Sequence, residues 1–297
     1  MEAISVFWFR RDLRLEDNTA LLGALSSGKP VLPVFVFDSH ITEELPLEDA
    51  RISFIYKNLE QIHQKLASRQ VSLHVYKGKP LEVWKDLLAT YKIHAVYANK
   101  DYEPNAVQRD MEIADLLKNR GIPFHIFKDQ VIFEEDEIVK QDGNPYTVFT
   151  PYKRRWLERF EPGASLNVAG EAIGGFLKTS RDFPKLEALG FRASALRVPP
   201  YDLSGINQYE LMRDFPAANA TSHLSPHLRF GTVSIRKIMC QLGAEDKTFL
   251  SELIWREFFM QILFHFPKVV HQNFKSRYNG ILWKNDEDDF RRWTEGN

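Results

Sequence analysis

The fold class this sequence predicts is an α/β domain followed by an all-helical one. Two observations carry it. Through residues 1–130 short apolar runs alternate with helix-like runs, the pattern of strand–helix–strand crossovers in a parallel, right-handed sheet. After Pro199-Pro200 no strand pattern returns and each segment reads as helix.

The strands fall at residues 4–9, 31–37, 71–76, 94–98 and 123–127. They are short and apolar, as in a sheet covered on both faces, and predict a doubly wound sheet of five parallel strands. Helix-like runs lie between them at 19–26, 49–67, 81–90 and 105–119. Asp17 or Asn18 can cap the first. Gly121, after Lys118 and Arg120, stops the last. Ligands of such sheets sit beyond the carboxyl ends of the strands. There the first strand runs into Arg10-Arg11-Asp12-Leu13-Arg14, read most simply as ion pairing at a strand end. No G-x-G-x-x-G follows that strand and no G-x-x-x-x-G-K-[ST] occurs, so the usual dinucleotide and P-loop fingerprints are absent.

Residues 131–196 read as a long connection wrapped on the surface. Gln141-Asp142-Gly143-Asn144-Pro145 is a turn, residues 150–159 form one short helix, and residues 163–175 are small and polar without a period. Loops this long are usually functional or join domains. The helical part, residues 197–297, opens with a helix over 205–215 carrying Tyr209 and Arg213 at i,i+4. Next comes Thr221-Ser222-His223-Leu224-Ser225-Pro226, with Ser225 as N-cap and Pro226 at N1. Gly231 ends that helix and Ser234 opens another. The hydroxyls and free N–H groups at 221–225 suit a phosphate, with Arg213 as a further cationic contact, although an ordinary capping turn looks the same.

The long helix at 251–266, SELIWREFFMQILFHF, is apolar nearly all round, which usually means burial. Leu250, Ile254, Phe258 and Ile262 make one row; Trp255, Phe259 and Leu263 make a second. Glu252 and Arg256 sit inside it, one turn apart and able to pair. Glu252 and Trp255 project toward one side, where a carboxylate and an indole can hydrogen-bond a heterocycle and stack on it. A core helix with an internal ion pair fits the same letters.

Composition narrows the classes. Of 297 residues 44% are hydrophobic, enough for two cores, and the net charge of -1 gives no global basic field. Setting aside the acid run at 286–289, the C-terminal third carries more Lys/Arg than Asp/Glu, compatible with a local phosphate-backbone contact. Cys240, the one cysteine, excludes an internal disulfide and a cysteine metal cluster. No apolar window is long enough to span a membrane and no signal segment is evident, so a cytoplasmic, soluble monomer with no metal is expected.

Five stretches, in order, resemble the DNA photolyase/cryptochrome family, most nearly the bacterial class I deoxyribodipyrimidine photolyases. They are FWFRRDLRLEDNTAL near the start, VFTPYKRRW at 148–156, YELMRDFPA at 209–217, TSHLSPHLRFG at 221–231 and ELIWREFF at 252–259. The resemblance implies an antenna domain followed by a helical FAD domain. It also implies light-driven repair of cyclobutane pyrimidine dimers in UV-damaged DNA by electron transfer from excited, reduced FAD. On it, Tyr209, Arg213, Thr221, Ser222, His223, Leu224, Ser225, Phe249 and Arg256 bind FAD. Glu252 hydrogen-bonds the dimer, Trp255 stacks on it, and Arg256 and Phe259 share the DNA surface. Trp283 matches the outer tryptophan of the electron relay.

Two departures accompany it. The chain stops at Asn297 inside a stretch like the family's W-x-E-G-x-T-G-Y-P, from which a fragment that holds FAD weakly or not at all, and does not repair DNA alone, is expected. The antenna pair that some relatives supply as Asn-Glu is here Asn105-Ala106, leaving a folate, a deazaflavin, a second flavin or no antenna pigment open. A cryptochrome-type photoreceptor, and a nucleotide-binding module without photochemistry, are the alternatives.

Overall fold

A computed structural model describes residues 2–161, 168–171 and 174–296. In chain order the first part runs β1 (Ile4–Phe9), α1 (Thr19–Leu25), β2 (Val31–Asp38), the single turn α2 (Ser39–Thr42), α3 (Ala50–Ala67), β3 (His74–Gly78), α4 (Pro80–Thr90), β4 (Ile93–Asn99), α5 (Pro104–Lys118) and β5 (Phe124–Phe127). All pairings are parallel and the order is β3-β2-β1-β4-β5, the doubly wound sheet expected.

Strand periodicity explains the two faces. Phe7, Phe9, Phe35 and Phe37 pack against α1 and α3. Val6, Trp8, Val34 and Val36 pack against α4 and α5, where Trp8 and Trp84 meet edge-on at 5.3 Å. Each such side chain, fully buried, contributes about 1.5–3 kcal/mol. Asn18 caps α1 by accepting from the Leu21 N–H, and Gly121 follows α5 at φ +68°. Two strands differ from expectation. Residues 71–73 precede β3 rather than belonging to it, because Ser72 is hydrogen-bonded to Thr179 through both its N–H and its hydroxyl. The edge strand β5 is not covered on both faces: Ile126 is 41% exposed.

The connection does more than wrap the surface. It forms α6 (Phe149–Arg159) and then returns along the sheet, where Leu186, Leu189 and Phe191 enter the first core. Much of the small, polar stretch expected at 163–175 lies outside the described residues.

The helical part comprises α7 (Tyr209–Met212), α8 (Leu224–Arg229), α9 (Ile235–Met239), α10 (Lys247–His265) and α11 (Glu287–Glu295). The helix expected over 205–215 is reduced to a 3-10 turn, Ile206–Gln208, and the one-turn α7. Only Ile206, Tyr209 and Met212 there are even half-buried, too narrow an apolar face to support a longer helix. Ser225 is not the N-cap of α8; His223 is, in the left-handed region at φ 51°. Ser234 caps α9 as expected. The acid run at 286–289 belongs to the start of α11: Asp286 accepts from the Asp288 and Asp289 N–H groups, where the helix dipole favours negative charge.

The arginine motif joins the two parts. Arg14 reaches Asp129 at 2.6 Å and donates to the Gly231 carbonyl at 3.1 Å. Arg236, from α9, binds Asp129 and Asp17, each at 2.9 Å. Burial pushes the Asp129 carboxyl up, but the two guanidiniums outweigh it and hold it below the usual range. The ion-pairing reading of this motif therefore holds, with partners on both sides of the junction. Gly231, at φ +63°, is needed because a Cβ there would lie 2.1 Å from the Arg11 carbonyl oxygen.

Candidate functional site

The long helix α10 organises the helical core, but its charges are not arranged as expected. Glu252 does not pair with Arg256. It binds Arg213 at 2.5 Å, with both side chains 35% exposed. Arg256 turns the other way and donates to the Gln130 carbonyl at 2.8 Å; burial lowers its pKa to about 10. A pair one turn apart was available to each, but both found better acceptors or donors on neighbouring elements.

The buried acid of α10 is Glu257, which the residue pattern had not singled out. It accepts from the Ile132 N–H at 2.7 Å, the Phe133 N–H at 3.1 Å and the Trp156 indole at 2.7 Å. Burial raises its pKa to about 7 against these donors. Glu257 and Gln261 stand four apart and are both buried. That spacing of two polar residues on one apolar face was the available signal.

Around Glu252 several expected residues meet. Tyr209 stands edge-on to Phe249 at 5.2 Å, and the Arg213 guanidinium lies 5.5 Å from the Tyr209 ring centre. Tyr209, Arg213, Phe249 and Glu252 thus form one cluster between α7 and α10. Phe249 is buried beneath Tyr209, and Leu224 is likewise a core residue, so any ligand contact from Leu224 would be through its backbone. Thr221, His223 and Ser225 are exposed and Ser222 is half-buried; the Thr221 hydroxyl lies 3.4 Å from His223 Nε2.

Trp255 is half-buried and its ring is already stacked. Phe149 of α6 lies on it at 3.5 Å and 9°, and Phe259 at 5.3 Å and 20°. Phe259 is 59% exposed, so α10 is not buried all round. An open cavity of about 180 Å³ is lined by Arg11, Asp101, Glu103, Arg229, Arg256 and Phe259 among others. Trp255 and Arg256 are adjacent on the helix and so point about 100° apart, while Phe259 borders both the Trp255 ring and this cavity. Trp283 is 70% exposed on the segment after α10, and the structure does not bring it to the cluster. Of the antenna pair, Asn105 is exposed and Ala106 buried. No helix among the described residues is long and apolar enough to cross a membrane.

The family model described as DNA photolyase matches residues 5–169, and that described as the FAD binding domain of DNA photolyase matches residues 249–297. A deoxyribodipyrimidine photo-lyase of Vibrio cholerae is 31% identical over 97% of this chain and 68% of its own length. One from a Synechococcus species is 29% identical over 99% and 67%. Among solved structures, a bacterial class III photolyase from Agrobacterium tumefaciens superposes with a TM-score of 0.84 at 27% identity, covering 100% of this chain and 66% of that one. An archaeal photolyase from Sulfolobus tokodaii with two FAD molecules gives 0.80 at 28%, covering 98% and 67%. The chain thus spans about two thirds of the length of these relatives. With a family match across more than half its residues and motifs ordered along its whole length, this chain belongs to the DNA photolyase family.

Proposed function

We propose that the protein acts in light-driven repair of cyclobutane pyrimidine dimers in UV-damaged DNA, with FAD as its cofactor. The observation that carries this reading is the cluster of Tyr209, Arg213 and Phe249 around Glu252, with Trp255 one turn further along α10. It treats residues 1–130 as the antenna domain, 131–196 as the linker and 197–297 as part of the FAD and DNA-binding domain.

The residues present fit a phosphate-bearing flavin nucleotide. Thr221, His223 and Ser225 are exposed at the start of α8, where the first N–H groups lack helical partners. Arg213, eight residues before Thr221, supplies a cation and remains about a third exposed while bound to Glu252. When bound, FAD would supply the light-excited electron; the protein's part is to hold and orient. Arg213 holds the Glu252 carboxylate in place through their ion pair, so that it can accept from a base N–H. Trp255 offers an indole for stacking. Lesion bases must leave the duplex to meet these groups, and a damaged pair is cheaper to extrude.

The experiment is dimer reversal under blue light by the protein in its full natural length, with Trp255→Ala and Glu252→Ala beside it. Repair by wild type, and loss of dimer affinity in both variants, is expected. Absence of light-dependent repair by the wild-type protein, loaded with FAD, defeats the reading.

A further inference from the structure

Trp255 is held by a ring that belongs to another helix. Phe149 opens α6, and its ring overlaps the indole with centroids 3.5 Å apart and planes 9° from parallel. Aromatic pairs in proteins usually meet offset or edge-on at about 4.5–7 Å, as Trp8 and Trp84 do at 5.3 Å and 69°. Phe149 is itself fixed, edge-on to Phe258 at 5.8 Å and 67°. One turn further along α6, Lys153 Nζ donates to Ser251 Oγ at 3.0 Å. Phe149 and Lys153 are four apart on one helix; Ser251 and Trp255 are four apart on the other. The two contacts therefore form successive rungs that set the register of α6 against α10. The other near-parallel neighbour of the indole, Phe259, is mostly exposed and sits on α10 itself. Trp255 thus has one anchored ring and one loose ring beside it.

We propose that Phe149 is a positioning residue for Trp255, fixing the plane of the indole on which an extruded base stacks. The inference rests on the photolyase reading and adds a residue to it. A stacking surface gains affinity when its geometry is set before the ligand arrives. Phe149 sets it from outside α10, so the indole does not depend on its own helix alone. An aliphatic side chain of similar volume would fill the space without imposing a plane.

The test compares wild type with Phe149→Leu and Phe149→Tyr in the protein of full natural length. The probes are an oligonucleotide carrying one thymine dimer and the same oligonucleotide undamaged. Phe149→Leu is expected to weaken dimer binding about three- to tenfold. Affinity for undamaged DNA and the repair rate at saturating substrate are expected to stay as in wild type, and Phe149→Tyr to restore dimer affinity. Wild-type dimer affinity in Phe149→Leu overturns the inference. So does an equal loss on damaged and undamaged DNA, which is what general destabilisation would give. A wild-type protein that does not distinguish the two oligonucleotides overturns the photolyase reading itself, an outcome separate from either.

Discussion

Trp156 donates its indole N–H to Glu257 Oε1 at 2.7 Å, which ties α6 to the middle of α10. The same carboxylate receives two backbone N–H groups from residues 132 and 133, so one buried acid joins three segments. Replacing it with alanine leaves three donors without an acceptor. Glu257→Ala is expected to cost about 3–5 kcal/mol, read from urea midpoints. A loss below about 1 kcal/mol would show that water or a neighbour takes over.

Glu257 also gives stability a pH slope. Its proton is held up to about pH 7 in the folded chain, against an ordinary value of 4.5. Between those values the folded state binds more protons than the unfolded one, so stability declines as pH rises from about 4.5 to about 7 and levels off above. The full effect is about 3 kcal/mol. Glu257→Gln is expected to flatten that slope; an unchanged slope in the variant assigns it to other groups.

Asp129 works in the opposite sense. Arg14 and Arg236 hold its carboxyl below the usual range, so it adds stability above the unfolded value of about 3.9 that disappears as pH falls through its folded value. Asp129→Asn leaves two buried guanidiniums without their shared anion and is expected to cost about 3–5 kcal/mol at pH 7. The difference from wild type should shrink in acid. A constant difference down to pH 2 contradicts it.

Gly231→Ala tests the junction directly. The added methyl would meet the Arg11 carbonyl oxygen at 2.1 Å, on a backbone at φ +63°. Adding left-handed strain of about 1 kcal/mol to a contact that backbone must relieve, the variant is expected to lose about 3 kcal/mol or more. An unchanged unfolding temperature would mean that the two parts separate without cost.

Glu252 and Trp255 should behave differently from these. The Glu252–Arg213 pair is open to solvent, and exposed pairs hold little stability. Glu252→Gln is therefore expected to unfold with wild-type midpoint while binding a dimer-containing oligonucleotide less well. Trp255→Ala should lose about 1–3 kcal/mol of that binding, the worth of one stacked base. Wild-type affinity in both would remove them from the site.

Much of the fold was legible because its periodicities are strong. β1 matches residues 4–9 to the residue, and Asn18, Gly121 and Ser234 act as the helix punctuation their types suggest. The site was legible only in part. Tyr209, Arg213, Phe249 and Glu252 come together as the motifs implied. The partners were misread because helical spacing shows which residues are able to touch, not which competitor from another element wins. Arg213 took Glu252, and the Gln130 carbonyl took Arg256. Phe149 could not be found by local pattern alone, and for Glu257 the spacing to Gln261 marks a buried acid but not its partners. Their contacts come from residues about a hundred positions away, and α6 carries no sign that it will lie along α10.

The returning connection settles the open side of the sheet. β3 begins opposite Val34, three residues after β2 starts, and at that vacant rung the chain lays Gly175 to Leu177. Val31 donates to the Gly175 carbonyl at 2.9 Å and accepts from the Leu177 N–H at 2.8 Å. A bare stretch of strand margin would invite another molecule to pair there. The molecule fills it with its own backbone, so lengthening or cutting this strap should show first as self-association, before any change in the interior.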